Sequence, residues 1–167
     1  MKNTWRTVVF AVLIAALAIP AAMAAEKEKT YKVGDEVQAF ELKDVNGTNH
    51  NLADLLGKHI IVLDFWNYQC PVSAGFEPQL KEIAAKYEGK DITFLAIDSN
   101  AGNHVDGIKK YVEEKKLNYP VLKDDDNVIA DHFGAERTPE VFVIGMDKKI
   151  HYHGAITDNQ DATKVKN

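Results

Sequence analysis

Cys70 is the one cysteine in 167 residues, and its neighbours decide what its thiol can do. Pro71 follows it directly and Ser73 lies one helical turn on. Proline suits the first turn of a helix, where its missing N–H costs nothing, so the spacing predicts a helix opening at Pro71 with Cys70 near its N-cap. There the free backbone N–H groups and the positive end of the helix dipole stabilise an anion. A thiol held this way has a lowered pKa, and its thiolate is the nucleophile of disulfide exchange and of attack on peroxide. The Ser73 hydroxyl can add a hydrogen bond to the sulfur. Asp64 is the second group with chemistry in it, an ionisable side chain inside the apolar run Ile60 to Trp66. Burial there raises its pKa and makes it a candidate acid–base group. A hydrogen-bonded structural aspartate at a strand end is the alternative.

The elements that must position these residues follow from periodicity. Ile60 to Trp66 is a near-continuous apolar run and reads as a strand buried on both faces. After Cys70, residues Phe76, Leu80, Ile83, Ala84 and Tyr87 fall on one helical face, closed by Gly89. Ile92 to Asp98 is a second buried strand, and Val105, Ile108, Tyr111 and Val112 mark a second amphipathic helix. A short extended piece at Tyr119 to Leu122 precedes a short helix, capped by Asp126 and stopped at Gly134. Glu140 to Ile144 and Lys149 to His153 form a closing hairpin. Upstream, a strand ending near Phe40 to Leu42, the turn Asp44 to Gly47 and a strand at Asn49 to Asn51 make a short N-terminal β extension. Strands alternating with helices imply an α/β fold, a central mixed sheet with parallel crossovers, and a reactive site at the carboxyl ends of its strands.

The segment DFWNYQCPVS resembles the thioredoxin active site, in which the Asp of an Asp-Phe-Trp run stands six residues before the first Cys of a Cys-X-X-Cys motif. Pro78 matches the position of the helix-kinking proline, and Arg137-Thr138-Pro139-Glu140-Val141-Phe142 resembles the cis-proline segment and its strand. The front half, VGDEVQAFELKDVNG, is more like the redoxins that include alkyl hydroperoxide reductase and thiol-specific antioxidant proteins. The resemblance implies a thioredoxin-like fold over residues 31–167. It also implies that Cys70 is the attacking thiol, with Asp64 the buried carboxylate beneath it and a cis Thr138–Pro139 bond beside the sulfur. Pro71 and Trp66 complete the expected surroundings, Trp66 either packing against the site or serving as plain core, and Arg137 is expected either near the thiolate, where it would lower the thiol pKa, or exposed on the surface. Two departures stand out. Ser73 occupies the place of the second cysteine, which rules out an internal disulfide. Leu63 and Asn67 occupy the proline and threonine positions of a peroxiredoxin site.

The chain opens with Lys2 and Arg6, an apolar run from Val8 to Ile19, Pro20, and then Ala22-Met23-Ala24. This is the pattern of a cleaved secretory signal over residues 1–24, too short to span a bilayer. The mature chain is therefore expected outside the cytoplasm, in a periplasm where there is one. Losing Lys2 and Arg6 takes the formal net charge from −5 to −7. Dispersed lysines among acids exclude a nucleic-acid footprint. His151 and His153 share a strand face without a third ligand, and Asp124 to Asp126 lack the rest of a calcium loop, so no metal and no cofactor is expected. The histidines read as surface residues. Only eleven residues follow Ile156, fewer than a closing helix takes, which leaves a truncated C-terminus open.

Three reactions fit these residues. The first is monothiol disulfide exchange, with thiol or disulfide clients and an external thiol reductant. The second is a one-cysteine peroxidase. The third is a non-catalytic module that binds clients on the cis-proline surface.

Overall fold

The structure, a computed structural model, describes residues 30–159 and 161–164; the expected leader over 1–24 lies outside the described residues. The strands are β1 (Glu41–Asp44), β2 (Asn49–Asn51), β3 (Ile60–Phe65), β4 (Ile92–Asp98), β5 (Val121–Lys123), β6 (Glu140–Ile144) and β7 (Ile150–Gly154). The helices are α1 (Pro71–Lys86), α2 (Val105–Lys115) and α3 (Val128–Phe133). A 3-10 turn at Leu52–Asp54 and another at Ala162–Lys164 complete the described elements.

The seven strands form one sheet in the order β2-β1-β5-β4-β3-β6-β7. Strands β3, β4 and β5 run parallel, and every other pairing is antiparallel. This is the expected mixed thioredoxin-like sheet. β3 is hydrogen-bonded on both edges, to β4 and β6, which explains its near-continuous apolar run. Period-two alternation divides its side chains between two cores. Ile61, Leu63 and Phe65 join Phe133, Phe142 and Ile97 on one face. Trp66 joins Leu80, Ala96, Ile108 and Tyr119 on the other. Among the described residues no helix is long and apolar enough to cross a membrane.

Two local expectations need correcting. The first strand begins at Glu41 rather than ending near Leu42, because Asp44 organises the hairpin by accepting the amides of Asn46 and Thr48. The short helix α3 is not capped by Asp126. Its N-cap is Asn127, in the left-handed region at φ 59°, and its orphan amides go to the carboxylate of Asp124. That side chain accepts from Ile129 N and Ala130 N, both at 3.1 Å, and from Ser99 Oγ at 2.8 Å. The left-handed cap residue lets the chain fold back so that an acid upstream of the turn reaches the helix. Asp124→Ala leaves two buried amides unpaired and is expected to cost about 1–3 kcal/mol. Urea midpoints at unchanged m-value are the measurement.

Candidate active site

Cys70 is the N-cap of α1, with extended backbone (φ −85°, ψ 116°) and Pro71 inside the first turn. Its Cα sits just past the carboxyl end of β3. Its thiol is partly buried and donates to the Thr138 carbonyl at 3.2 Å. The Thr138–Pro139 bond is cis, as the resemblance implied. In this thiol form the sulfur makes no capping bond to α1, and the Ser73 hydroxyl, buried in the first turn, has no hydrogen-bond partner. The expected Ser73–sulfur bond is therefore not made by the thiol. Ionisation changes the demand. A thiolate gives up its bond to the carbonyl and becomes an acceptor only. Burial pushes the Cys70 pKa up, but the Ser73 amide, the hydroxyls of Thr138 and Ser73 and the Val72 amide outweigh it, and the thiol lies below its ordinary value.

Arg137 is not among those groups. Its side chain is mostly exposed, and its Nε faces Glu140 Oε1 at 3.9 Å. Arg137 and Thr138 instead line two clefts, one on each side of the cis-proline loop. The larger, about 270 Å³, is floored by Phe65, Trp66 and Ile97. The smaller, about 120 Å³, lies against Val72, Phe76 and Pro139. Pro78 sits within α1, where its missing N–H leaves one carbonyl of the preceding turn without its usual helical donor.

Asp64 is 5% exposed, and neither carboxylate oxygen has a hydrogen-bond partner. Burial, and secondarily the charge of Glu77, push its pKa up to about 7. Glu77 was not anticipated. It is buried on α1 and accepts from the Trp66 indole N–H at 3.1 Å and the Tyr111 hydroxyl at 3.2 Å. Burial raises its pKa while those two bonds oppose the rise. Tyr111 is pushed up to about 12 by burial and then by Glu77. Glu77, Leu80 and Ala84 share one helical face, so an acid in the buried stripe was the signal available in the sequence. Trp66 serves two ends, filling the core beside Tyr111 (5.7 Å between ring centroids) and flooring the larger cleft.

Other polar residues meet only in three dimensions. The Asn103 amide donates to Asp98 Oδ2 at 2.7 Å and to Asn67 Oδ1 at 3.0 Å, and Asn67 Oδ1 also accepts the Gln69 amide. Buried Lys123 donates to the carbonyls of Asp98, Asn100 and Asp124. Asn67, at the peroxiredoxin threonine position, thus holds the Cys70 loop to β4. His153, expected at the surface, is half-buried against Glu140 at 2.8 Å and stacked on Phe142, whereas His151 is exposed and pairs with Asp147. Among the described residues no group of three or more His, Cys, Asp or Glu side chains is placed to hold a metal ion.

The AhpC/TSA family signature matches residues 33–153. The chain belongs to the AhpC/TSA family. It is similar to the thiol-disulfide oxidoreductase ResA of Geobacillus thermodenitrificans, 29% identical over 146 residues, 87% of this chain and 82% of the relative. Among solved structures it resembles a secreted Mycobacterium tuberculosis disulfide oxidoreductase homologous to E. coli DsbE. The TM-score is 0.63 at 26% identity, covering 74% of this chain and 90% of that one. It also resembles peroxidoxin BcpB of the same organism, with TM-score 0.62 and 28% identity over 72% of this chain and 82% of that one. The chain is thus similar both to proteins named for disulfide exchange and to one named for peroxide chemistry.

The elevated Asp64 pKa has a signed consequence. The folded protein keeps this proton until about pH 7, while the unfolded chain releases it near 3.8. Folding is therefore favoured by this group below about pH 4, and that contribution is lost as pH rises towards 7. Asp64→Asn removes the linkage. Relative to the natural chain its stability is expected to rise between about pH 4 and 7 and then level off; urea titrations across that range read it directly.

Proposed function

We propose that the protein is an exported monothiol disulfide oxidoreductase that works through mixed disulfides at Cys70. One observation carries the reading. A single thiol with a lowered pKa sits at the N-cap of α1 against the cis-proline loop, and Ser73 stands where a resolving thiol would be. The Cys70 thiolate attacks one sulfur of a client disulfide, the client S–S bond breaks, and the second client sulfur leaves as a thiolate that takes a proton. Asp64, protonated below about pH 7, is the group suited to exchange protons with the site. The Ser73 hydroxyl and the amides of Val72 and Ser73 stabilise Cys70 each time it is the leaving thiolate. An external thiol then attacks the Cys70 sulfur of the mixed disulfide and releases the client as a thiol, and a second external thiol attacks the resulting adduct, leaving as the external disulfide and freeing the Cys70 thiolate.

Arg137, Thr138, Pro139, Pro71 and Trp66 form the surface a client meets. Residues 1–24 act as the export signal, so the working protein is periplasmic or extracellular, and the secreted Mycobacterium relative supports this. The domain itself occupies the chain from residue 31 onward.

A peroxidase reading is favoured by one observation, the likeness to a peroxidoxin. Against it, Asn67 in place of threonine is engaged by Asn103 and Gln69 and offers no hydroxyl to a peroxide.

Intact mass of reduced mature protein, exposed in parallel to oxidised glutathione and hydrogen peroxide with Cys70→Ser as blank, separates the readings. Rapid gain of one glutathione, with peroxide reacting no faster than a free thiol, is expected. Catalytic peroxide consumption through a sulfenic acid would replace disulfide exchange with the peroxidase, and silence towards both would leave a binding module. Restoring the second thiol is a stronger demand on the same geometry. Ser73→Cys is expected to close an internal disulfide with Cys70 and to convert stable mixed-disulfide capture into release of reduced client, seen as loss of the glutathione adduct from the mass spectrum.

A further inference from the structure

The cis-proline loop is held from behind by a buried acid to which nothing above assigns a role in the reaction. Glu140 opens β6, lies opposite Phe65 of β3 and is 4% exposed. One carboxylate oxygen, Oε2, accepts two successive loop amides, Glu136 N at 2.8 Å and Arg137 N at 3.2 Å. The other, Oε1, lies 2.8 Å from His153 Nε2. A carboxylate only accepts, so His153 carries its proton on Nε2. The His153 ring is stacked on Phe142, 4.0 Å between centroids and 14° between planes, and the two residues are cross-strand partners in the β6–β7 pair. Ring stacking thus sets the imidazole, the imidazole sets the carboxylate, and the carboxylate sets residues 136 and 137. The next residue is Thr138, whose carbonyl meets the Cys70 sulfur at 3.2 Å.

A buried carboxylate is costly to keep unless its hydrogen bonds are filled, and this one spends its acceptors on the backbone of a loop. That loop is also the ridge between the two clefts, both of which Arg137 and Thr138 line. We propose that Glu140, oriented by His153, is a positioning residue that holds the 136–138 loop as the ridge on which an extended peptide is docked with its disulfide aimed at Cys70. The inference rests on the disulfide-exchange reading and deepens it. The preferred substrate is then a disulfide within a polypeptide, whose backbone engages the ridge, rather than a small disulfide that needs only the sulfur.

Mixed-disulfide formation is measured in single turnover with two probes, dithiobis(nitrobenzoate) and a synthetic peptide carrying one intramolecular disulfide. Glu140→Ala is expected to raise the half-saturating peptide concentration roughly tenfold. The limiting rate and the rate with the small disulfide should stay within about twofold. His153→Ala, at a half-exposed ring that the fold tolerates losing more readily, should move the same parameter in the same direction by less. Glu140→Gln should restore most of the peptide affinity, since its amide oxygen still accepts the two loop N–H groups and its NH₂ can donate to the other His153 tautomer. Unchanged peptide saturation in Glu140→Ala and His153→Ala would overturn the proposal, as would equal losses for both probes or failure of Glu140→Gln to rescue. A natural chain inert to the small disulfide would instead sink the disulfide-exchange reading, and this proposal with it.

Discussion

Pairing of β3 with β6, with Phe65 opposite Glu140 and Asp64 opposite Val141, is the constraint from which the site follows. The two strands run antiparallel, so the end of β3 and the start of β6 lie at the same edge of the sheet. The chain leaving β3 carries Cys70 and the chain entering β6 carries Thr138. Sixty-eight residues apart in sequence, they meet across a 3.2 Å contact. The register also puts Phe65 and Phe142 on one face, where they pack with Phe133 and tie α3 to the base of the loop. Without that pairing Cys70 would still cap a helix, but it would have no wall beside it.

The opposite face of β3 carries a different load. Its side chains Asp64 and Trp66 point beneath α1 into a core that also holds Glu77, Tyr111 and Tyr119. Two acids share a water-poor space, and only Glu77 is given donors. The unpartnered one, Asp64, answers burial by holding its proton, which is the cheaper of the two states there. The Tyr119 hydroxyl, also buried without a partner, is pushed upward by burial and by both carboxylates. This pocket is unfavourable for stability near neutral pH and favourable for a group that must change its protonation state.

Having one thiol changes what the surroundings of Cys70 can accomplish. Donors in the first turn of α1 make Cys70 a better leaving group as well as a more abundant thiolate. A second thiol at the Ser73 position would use that leaving ability within the same molecule. With a hydroxyl there instead, the mixed disulfide of the proposed reaction would persist until another thiol arrives. The relatives named for disulfide exchange and the one named for peroxide chemistry are similar to this same chain.

Much of this architecture was legible in the linear sequence, because local rules determine local structure. The near-continuous apolar run of β3, the Cys-Pro junction, the helical stripe from Phe76 to Ala84 and the Gly134 stop each depend on near neighbours, and each lies where periodicity places it. The chemical nature of Cys70 and the burial of Asp64 followed from the same reasoning, and the cis Thr138–Pro139 bond came from resemblance. What the sequence left undecided were relations between segments. That Glu77 enters the core with Trp66, that Asp124 rather than Asp126 caps α3, that Arg137 turns towards Glu140, and that His153 leaves the surface to orient that acid all depend on partners 3 to 34 residues away. A polar side chain takes whichever donor or acceptor the packed chain brings within about 3 Å, and composition does not say which that is. A thiol at the head of a helix was written in the sequence, and its surroundings were decided only when the sheet closed.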